Sequence, residues 1–237
     1  MMRPLPDIDL ARIAPQPDDQ KRRSLEQMKG GYSPFSYKPV RACFDDIFNV
    51  QPALEFGEAK PTSWIRIRKE VRKRSGSDDE FRHNKMVAKA LHDFAMSGRM
   101  VARRHEFFPL AMGVGRKVSL WLPMIVGIDE QPHAIFIDPR RTRGLTKEGR
   151  RFAFSMMHER IRMADEDFAD VGLAVVRLSD PIDGERSVRK FTDEGVNLFS
   201  LAELESLVAR TYEIWGEVLA ERERDIRHQP AVVGTLI

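Results

Sequence analysis

One acid and a run of arginines meet at Ile137-Asp138-Pro139-Arg140-Arg141, with Arg143, Lys147, Arg150 and Arg151 close behind. A carboxylate at the end of an apolar run can hold a hard cation, or it can fix a turn, since aspartate before proline commonly starts one. Basic side chains gathered at a helix start offer charge-assisted hydrogen bonds to anions. The pattern points to anion chemistry. Asp138 is the candidate catalytic carboxylate, and Arg140, Arg141, Arg143, Lys147, Arg150 and Arg151 are candidate phosphate contacts. A second basic run comprises Lys60, Arg66, Arg68, Lys69, Arg72, Lys73 and Arg74, with Glu70 as the acid among them. Lys69 and Lys73 are its candidate contacts.

Spacing argues against several other chemistries. His158-Glu159 opens a zinc-type H-E-x-x-H pattern, but Arg162 stands where the second histidine belongs. Gly113-Val114-Gly115-Arg116 lacks the lysine and spacing of a phosphate loop. Cys43 is the one cysteine, which rules out an internal disulfide framework and a cysteine-rich zinc site. No G-x-S-x-G nucleophile elbow occurs.

The 237 residues are 42% hydrophobic and 32% charged, a balance that supports a buried core. The net charge of +3 is mild, so the clustering of the cations matters more than their sum. No apolar stretch approaches the roughly 18 residues of a membrane span, and the expectation is a cytoplasmic protein without membrane contact.

The elements that must position these residues follow from periodicity. Residues 1–60 carry scattered prolines and Gly30-Gly31 and read as an N-terminal arm, partly disordered. Within it, 40–50 can form a helix docked by Phe44, Ile47 and Phe48, and 51–61 is a loop. A single globular domain spans 61–226, and 227–237 is a tail. Ser63 opens a basic helix to Arg74. Ser77 and Glu80 form a capping box for a helix that ends at Gly98. Strands are expected over 100–110, 117–126 and 133–138, joined by turns at 113–115 and 128–131. Thr146 caps a helix over 147–163. The apolar run 171–178 reads as a strand buried on both faces, 180–193 as a polar excursion, and 201–224 as a long C-terminal helix.

From Ser77 to Leu178 this order, α-β-β-β-α-β, resembles the core of the PD-(D/E)XK nuclease-like superfamily. The resemblance implies an acid on the second core strand and an acid-x-lysine pair on the third, which together hold a divalent metal. Asp138 and Arg140 fall on the pair, with arginine for lysine. Pro123-Met124 falls on the family's Pro-Asp, with methionine for the acid. The expected fold is therefore α/β (or α+β): an αβββαβ nuclease-like core with a mixed sheet, an N-terminal helical arm and a long C-terminal helix.

The function expected is non-catalytic binding of the DNA or RNA phosphate backbone by a degenerate nuclease-like domain. One alternative is a metal-dependent nuclease using Asp138, with magnesium as its only implied cofactor. The other is a protein-interaction or assembly protein without nucleic-acid affinity, including a homodimer through the C-terminal helix. The sequence leaves catalysis open.

Overall fold

The computed structural model describes residues 4–28, 36–52, 60–113 and 115–228. The chain opens with α1 (Asp7–Ile13) and α2 (Asp18–Glu26). Pro6 and Pro17 precede these helices, and each first turn carries two aspartates that complement the helix dipole. Leu5, Leu10, Ile13 and Leu25 are buried, so the N-terminal arm is helical, as the expected fold had it, and is packed onto the core in this stretch. Two helices this short give no lasting period for a sequence reading to find. The helix expected over 40–50 is divided into α3 (Lys38–Arg41) and α4 (Phe44–Ile47), and Phe44, Ile47 and Phe48 are buried as the spacing suggested. Gly30-Gly31, most of the loop 51–61, Val114 of the first strand turn and the tail from 229 lie outside the described residues.

The basic run folds as α5 (Trp64–Arg74), and the capping-box helix is α6 (Asp78–Ser97). The Ser77 hydroxyl accepts from the Glu80 amide at 3.1 Å. The Glu80 carboxylate reaches one residue further back than a capping box requires, accepting from Gly76 N at 2.7 Å, and also takes Ser36 N at 3.0 Å. These backbone donors hold the Glu80 carboxyl below its usual range.

The first expected strand survives only as β1 (Val101–Arg104), followed by β2 (Leu110–Ala111). Between them the backbone leaves the ladder so that His105 and Phe107 can stack with Phe168, while Phe107 O accepts from Trp121 Nε1 at 3.2 Å. The second expected strand is likewise split into β3 (Lys117–Val118) and β4 (Met124–Ile128), because Ser119 N turns away to donate to Asp7 at 3.0 Å. β5 (Gln131–Asp138) follows a two-residue turn in which Asp129 and Glu130 both have positive φ, the geometry that matches strand twist in a hairpin. Next come α7 (Lys147–Met157), extended by a π turn over His158–Arg162, and β6 (Gly172–Leu178). The polar excursion contains β7 (Val188–Thr192), and α8 (Leu201–His228) closes the described chain.

The main sheet has the order β1-β4-β5-β6-β7, and β2-β3 pair separately. β5 and β6 run parallel while the other neighbours are antiparallel, so the sheet is mixed as expected. Successive side chains of a strand point to opposite faces. In β6, Leu173 and Val175 enter one apolar layer with α1, α2, α7 and α8, whereas Ala174, Val176 and Leu178 enter another with α3 to α6. The result is a helix–sheet–helix sandwich that buries β5 and β6 on both faces. The apolar stripe of α8, including Leu204, Val208, Tyr212, Trp215 and Val218, is spent inside the first layer. Among the described residues no helix is long and apolar enough to cross a membrane.

Candidate functional site

β5 ends at Asp138, which is only 1% exposed. Its carboxylate accepts from Leu145 N at 2.7 Å and from Arg140 N at 3.2 Å, and Arg177 Nε stands 3.8 Å away. Asp138 thus gathers both ends of the loop 139–146 around one side chain. Met124, the other position carried over from the nuclease-like resemblance, is buried in the second apolar layer. Among the described residues no group of three or more His, Cys, Asp or Glu side chains could hold a metal ion. A carboxylate engaged by two backbone amides, with a buried thioether at the other expected ligand position, does not fit a magnesium ion, which asks for several oxygen ligands.

The arginines behind Asp138 have different fates. Arg140 turns inward to pair with Asp9 through both terminal guanidinium nitrogens, Nη1 to Oδ1 and Nη2 to Oδ2, each at 2.8 Å. Burial alone would raise the Asp9 carboxyl, but the hydrogen bond and charge of Arg140, with Arg12, outweigh it and hold the carboxyl below its usual range. Arg150 lies over the Phe191 ring at 4.0 Å and donates to Leu145 O at 3.1 Å. Burial, and then the nearby charges of Arg177 and Arg189, push its pKa down. Arg151 lies over Phe199 at 3.6 Å and donates to Asn197 O at 2.5 Å. Arg141, Arg143 and Lys147 are exposed. Thr146 caps α7 by accepting from Gly149 N at 3.1 Å, as its position predicted.

Arg186 was invisible to sequence reasoning, lying in what looked like a featureless polar stretch. It is 8% exposed and donates to Pro139 O and Arg140 O, both at 2.8 Å, and to Ser179 O at 2.7 Å. It ties the loop after β5 to the end of β6. No sequence pattern marks such a residue, since its partners are backbone carbonyls and those of Pro139 and Arg140 are remote in sequence.

The second basic cluster stands apart. Ile67 and Val71 bury the inner side of α5, while Arg66, Arg68, Lys69 and Lys73 are exposed on its outer side. A depression of about 280 Å³ joins α5 to α6 and the turn at 184–186, lined by Trp64, Arg68, Lys85, Lys89 and Arg186 among others. His83 on α6 sits in the field of Arg82, Arg141 and Arg186, and burial together with these charges lowers its pKa. The depression brings cations of α5 and α6 together with Arg186.

The site therefore offers exposed charge on a prebuilt surface. Residues 8–225 match the family described as the sliding clamp-binding bacterial toxin SocB. The chain belongs to the SocB family. A curated relative, the DNA replication inhibitor toxin SocB of Caulobacter vibrioides (strain NA1000 / CB15N), is 36% identical over 225 residues, covering 94% of this chain and 93% of the relative. No solved structure matches.

SocB membership corrects three expectations. The resemblance to the PD-(D/E)XK nuclease-like superfamily does not hold, since nearly the whole chain matches another family. Helix and strand order alone is shared by unrelated α/β proteins, and Asp138-x-Arg140 proves to be a loop anchor joined to an internal ion pair. The reading as a DNA-binding, degenerate nuclease-like domain falls with it, as does DNA or RNA as the expected partner. Of the readings weighed from the sequence, the SocB match backs the protein-interaction alternative.

Proposed function

We propose that this chain is a toxin that binds the bacterial sliding clamp and thereby inhibits DNA replication. The observation that carries the proposal is the 36% identity to a replication inhibitor toxin over 94% of this chain. At that coverage the helices on both faces of the sheet, and the surfaces they present, belong to the shared region. The chemistry of the site supports the reading. Exposed cations on a rigid sandwich suit recognition of another macromolecule, and protein partners with complementary charge are captured quickly and selectively by such surfaces. The place of action under this reading is the cytoplasm.

Co-elution of purified chain with a purified bacterial sliding clamp in size-exclusion chromatography tests the first half. Clamp-dependent primer extension, with and without the chain, tests the second. A stable complex together with loss of long products is the expected outcome. Separate elution and unaffected synthesis would overturn the proposal.

A further inference from the structure

Three arginines gather ahead of α7. Successive side chains of a strand alternate between faces, so Arg177 follows Leu173 and Val175 onto the α7 face of β6. Arg189 and Phe191 of β7 share that face, because Arg177 pairs with Arg189 and Val175 with Phe191 in the antiparallel register. Arg150 comes down from α7 onto the Phe191 ring, 4.0 Å from its centroid, and folds back so that Nη1 donates to Leu145 O at 3.1 Å. Arg177 reaches the residue before. A Cβ at Gly144 would stand 2.5 Å from Arg177 Nη2, so this guanidinium fills the space that a side chain at 144 would take. Two guanidiniums thus lie on consecutive residues of the loop that opens α7, and the third stands across the strand pair.

This arrangement is unfavourable for the chain alone. Like charges opposite each other on neighbouring strands repel. Burial, and then the charges of Arg177 and Arg189, lower the Arg150 pKa. Nearby acids give little relief. Asp138 stands 3.8 Å from Arg177 Nε and already accepts from two amides. Glu148 turns to Arg151 at 3.4 Å. Among the described residues Arg189 has no acidic partner, and Arg177 has no hydrogen-bond acceptor. A guanidinium carries several N–H donors in a planar fork, and Leu145 O takes one from Arg150. The loop beneath is held by Asp138 and Arg186, so the cluster is prebuilt.

Uncompensated charge on a prebuilt frame marks a place where something outside the fold supplies the compensation. We infer that Arg150, Arg177 and Arg189 bind the phosphate group of a small molecule. Three cations against the one carboxylate of Asp138 leave a surplus of about two charges, which matches a phosphate monoester near neutral pH. The positive end of the α7 dipole adds to the attraction. A depression of about 410 Å³ shares Arg150 and Phe191 with the cluster and has Phe154 and Val196 in its lining. It has the size of a small-molecule site and gives the rest of the ligand a place to lie. The cations are gathered at one loop, whereas a nucleic-acid backbone is tracked by charge spread along a groove. This site does not depend on the sliding clamp as partner.

The test is isothermal titration calorimetry of the full chain at about 0.05 M salt, where screening is modest, with phenyl phosphate, inorganic phosphate and, at matched ionic strength, sodium chloride. Arg189→Gln is compared with Arg103→Gln, which removes the same charge from an exposed position on β1, the opposite edge of the sheet. Wild type should bind phenyl phosphate saturably and several-fold more tightly than inorganic phosphate. Arg189→Gln should lose about tenfold or more, and Arg103→Gln should match wild type. In phosphate-free buffer Arg189→Gln should melt no lower than wild type, since it relieves a repulsion, while phenyl phosphate should raise its melting temperature less. Heats no larger than those of chloride would overturn the site, and so would equal losses in the two variants. Equal affinities for the two phosphates would remove the depression from it. If Arg189→Gln weakens retention of a labelled DNA duplex but leaves phenyl phosphate binding intact, the cluster serves a polymer and the small-molecule site falls.

Discussion

Arg140 grips Asp9 at two points, Nη1 on Oδ1 and Nη2 on Oδ2, each at 2.8 Å, across a sequence separation of 131 residues. The bond joins the first helix to the loop that follows the central strand. An arginine that sequence alone would send outward to an anion has thus found its anion inside the protein. The side chains are 21% and 14% exposed, so the pair keeps most of its Coulomb energy while salt screens it only weakly.

Removing one partner of a largely buried pair leaves the other charge stranded. Arg140→Ala is expected to destabilise the chain by about 2–3 kcal/mol, allowing for Arg12 as a residual partner of Asp9. Urea denaturation of Arg140→Ala, Asp9→Ala and the double variant should give a coupling of about 1 kcal/mol or more. Additive effects would show that the two side chains act independently.

The same pair sets a pH dependence. The folded-state pKa of Asp9 is held below its ordinary value, so its contribution is present above the unfolded value, about 3.9. The contribution fades as pH falls through the depressed folded value. The stability gap between wild type and Asp9→Asn should therefore be widest near neutrality and narrow at about pH 3. Denaturant midpoints at the two pH values measure it. A gap that widens in acid would refute the assignment.

Asp138 is expected to behave as a loop anchor. Asp138→Ala leaves the buried amide of Leu145 and the amide of Arg140 without acceptors, at a cost of about 2–4 kcal/mol. Asp138→Asn keeps one carbonyl oxygen and should lose roughly half of that. Thermal unfolding ranks them. If both variants melt with wild type, the two amides do not depend on the carboxylate.

Asn84 makes a similar anchor on the opposite face of the sheet. It is fully buried, accepts from Val40 N at 3.1 Å, and donates to Ser36 O at 2.7 Å and Glu80 O at 2.9 Å. Asn84→Asp replaces the donor group with an acceptor facing two carbonyls. A loss of about 3 kcal/mol or more is expected in denaturant titration, while Asn84→Ser, which can keep one bond, should lose less. Equal stability of Asn84→Asp and wild type would mean that the 36–40 segment is held by other contacts.

What could be read from the sequence was local. Ser77 with Glu80 and Thr146 announced helix starts through side-chain geometry confined to a few residues. The near-continuous apolar run of β6, interrupted by Arg177, announced burial on both faces. The class of fold and the mixed sheet were expected from the order of such elements through the nuclease-like resemblance, and they stand although that resemblance does not.

What escaped depended on distance. β7 is an edge strand with a half-polar pattern, and nothing local distinguishes it from a loop until it pairs with β6. α1 and α2 owe their packing to α7 and α8, far along the chain. Arg140 and Arg150 looked like free cations because their partners, Asp9 and Phe191, are remote in sequence. The exposed cations of α5 were visible as charge, but charge alone did not say whether nucleic acid or protein would meet them.

The parallel pair β5 and β6 forms the wall between two apolar layers, paired from His133 with Gly172 to Asp138 with Arg177. Water reaches those amides only when one helical layer lifts away and the ladder itself parts. Deuterium should therefore enter the peptide groups of Ile135–Ile137 and Ala174–Val176 last of all. Their exchange free energies should approach that of global unfolding, while the outer turns of α5 and α8 exchange far sooner.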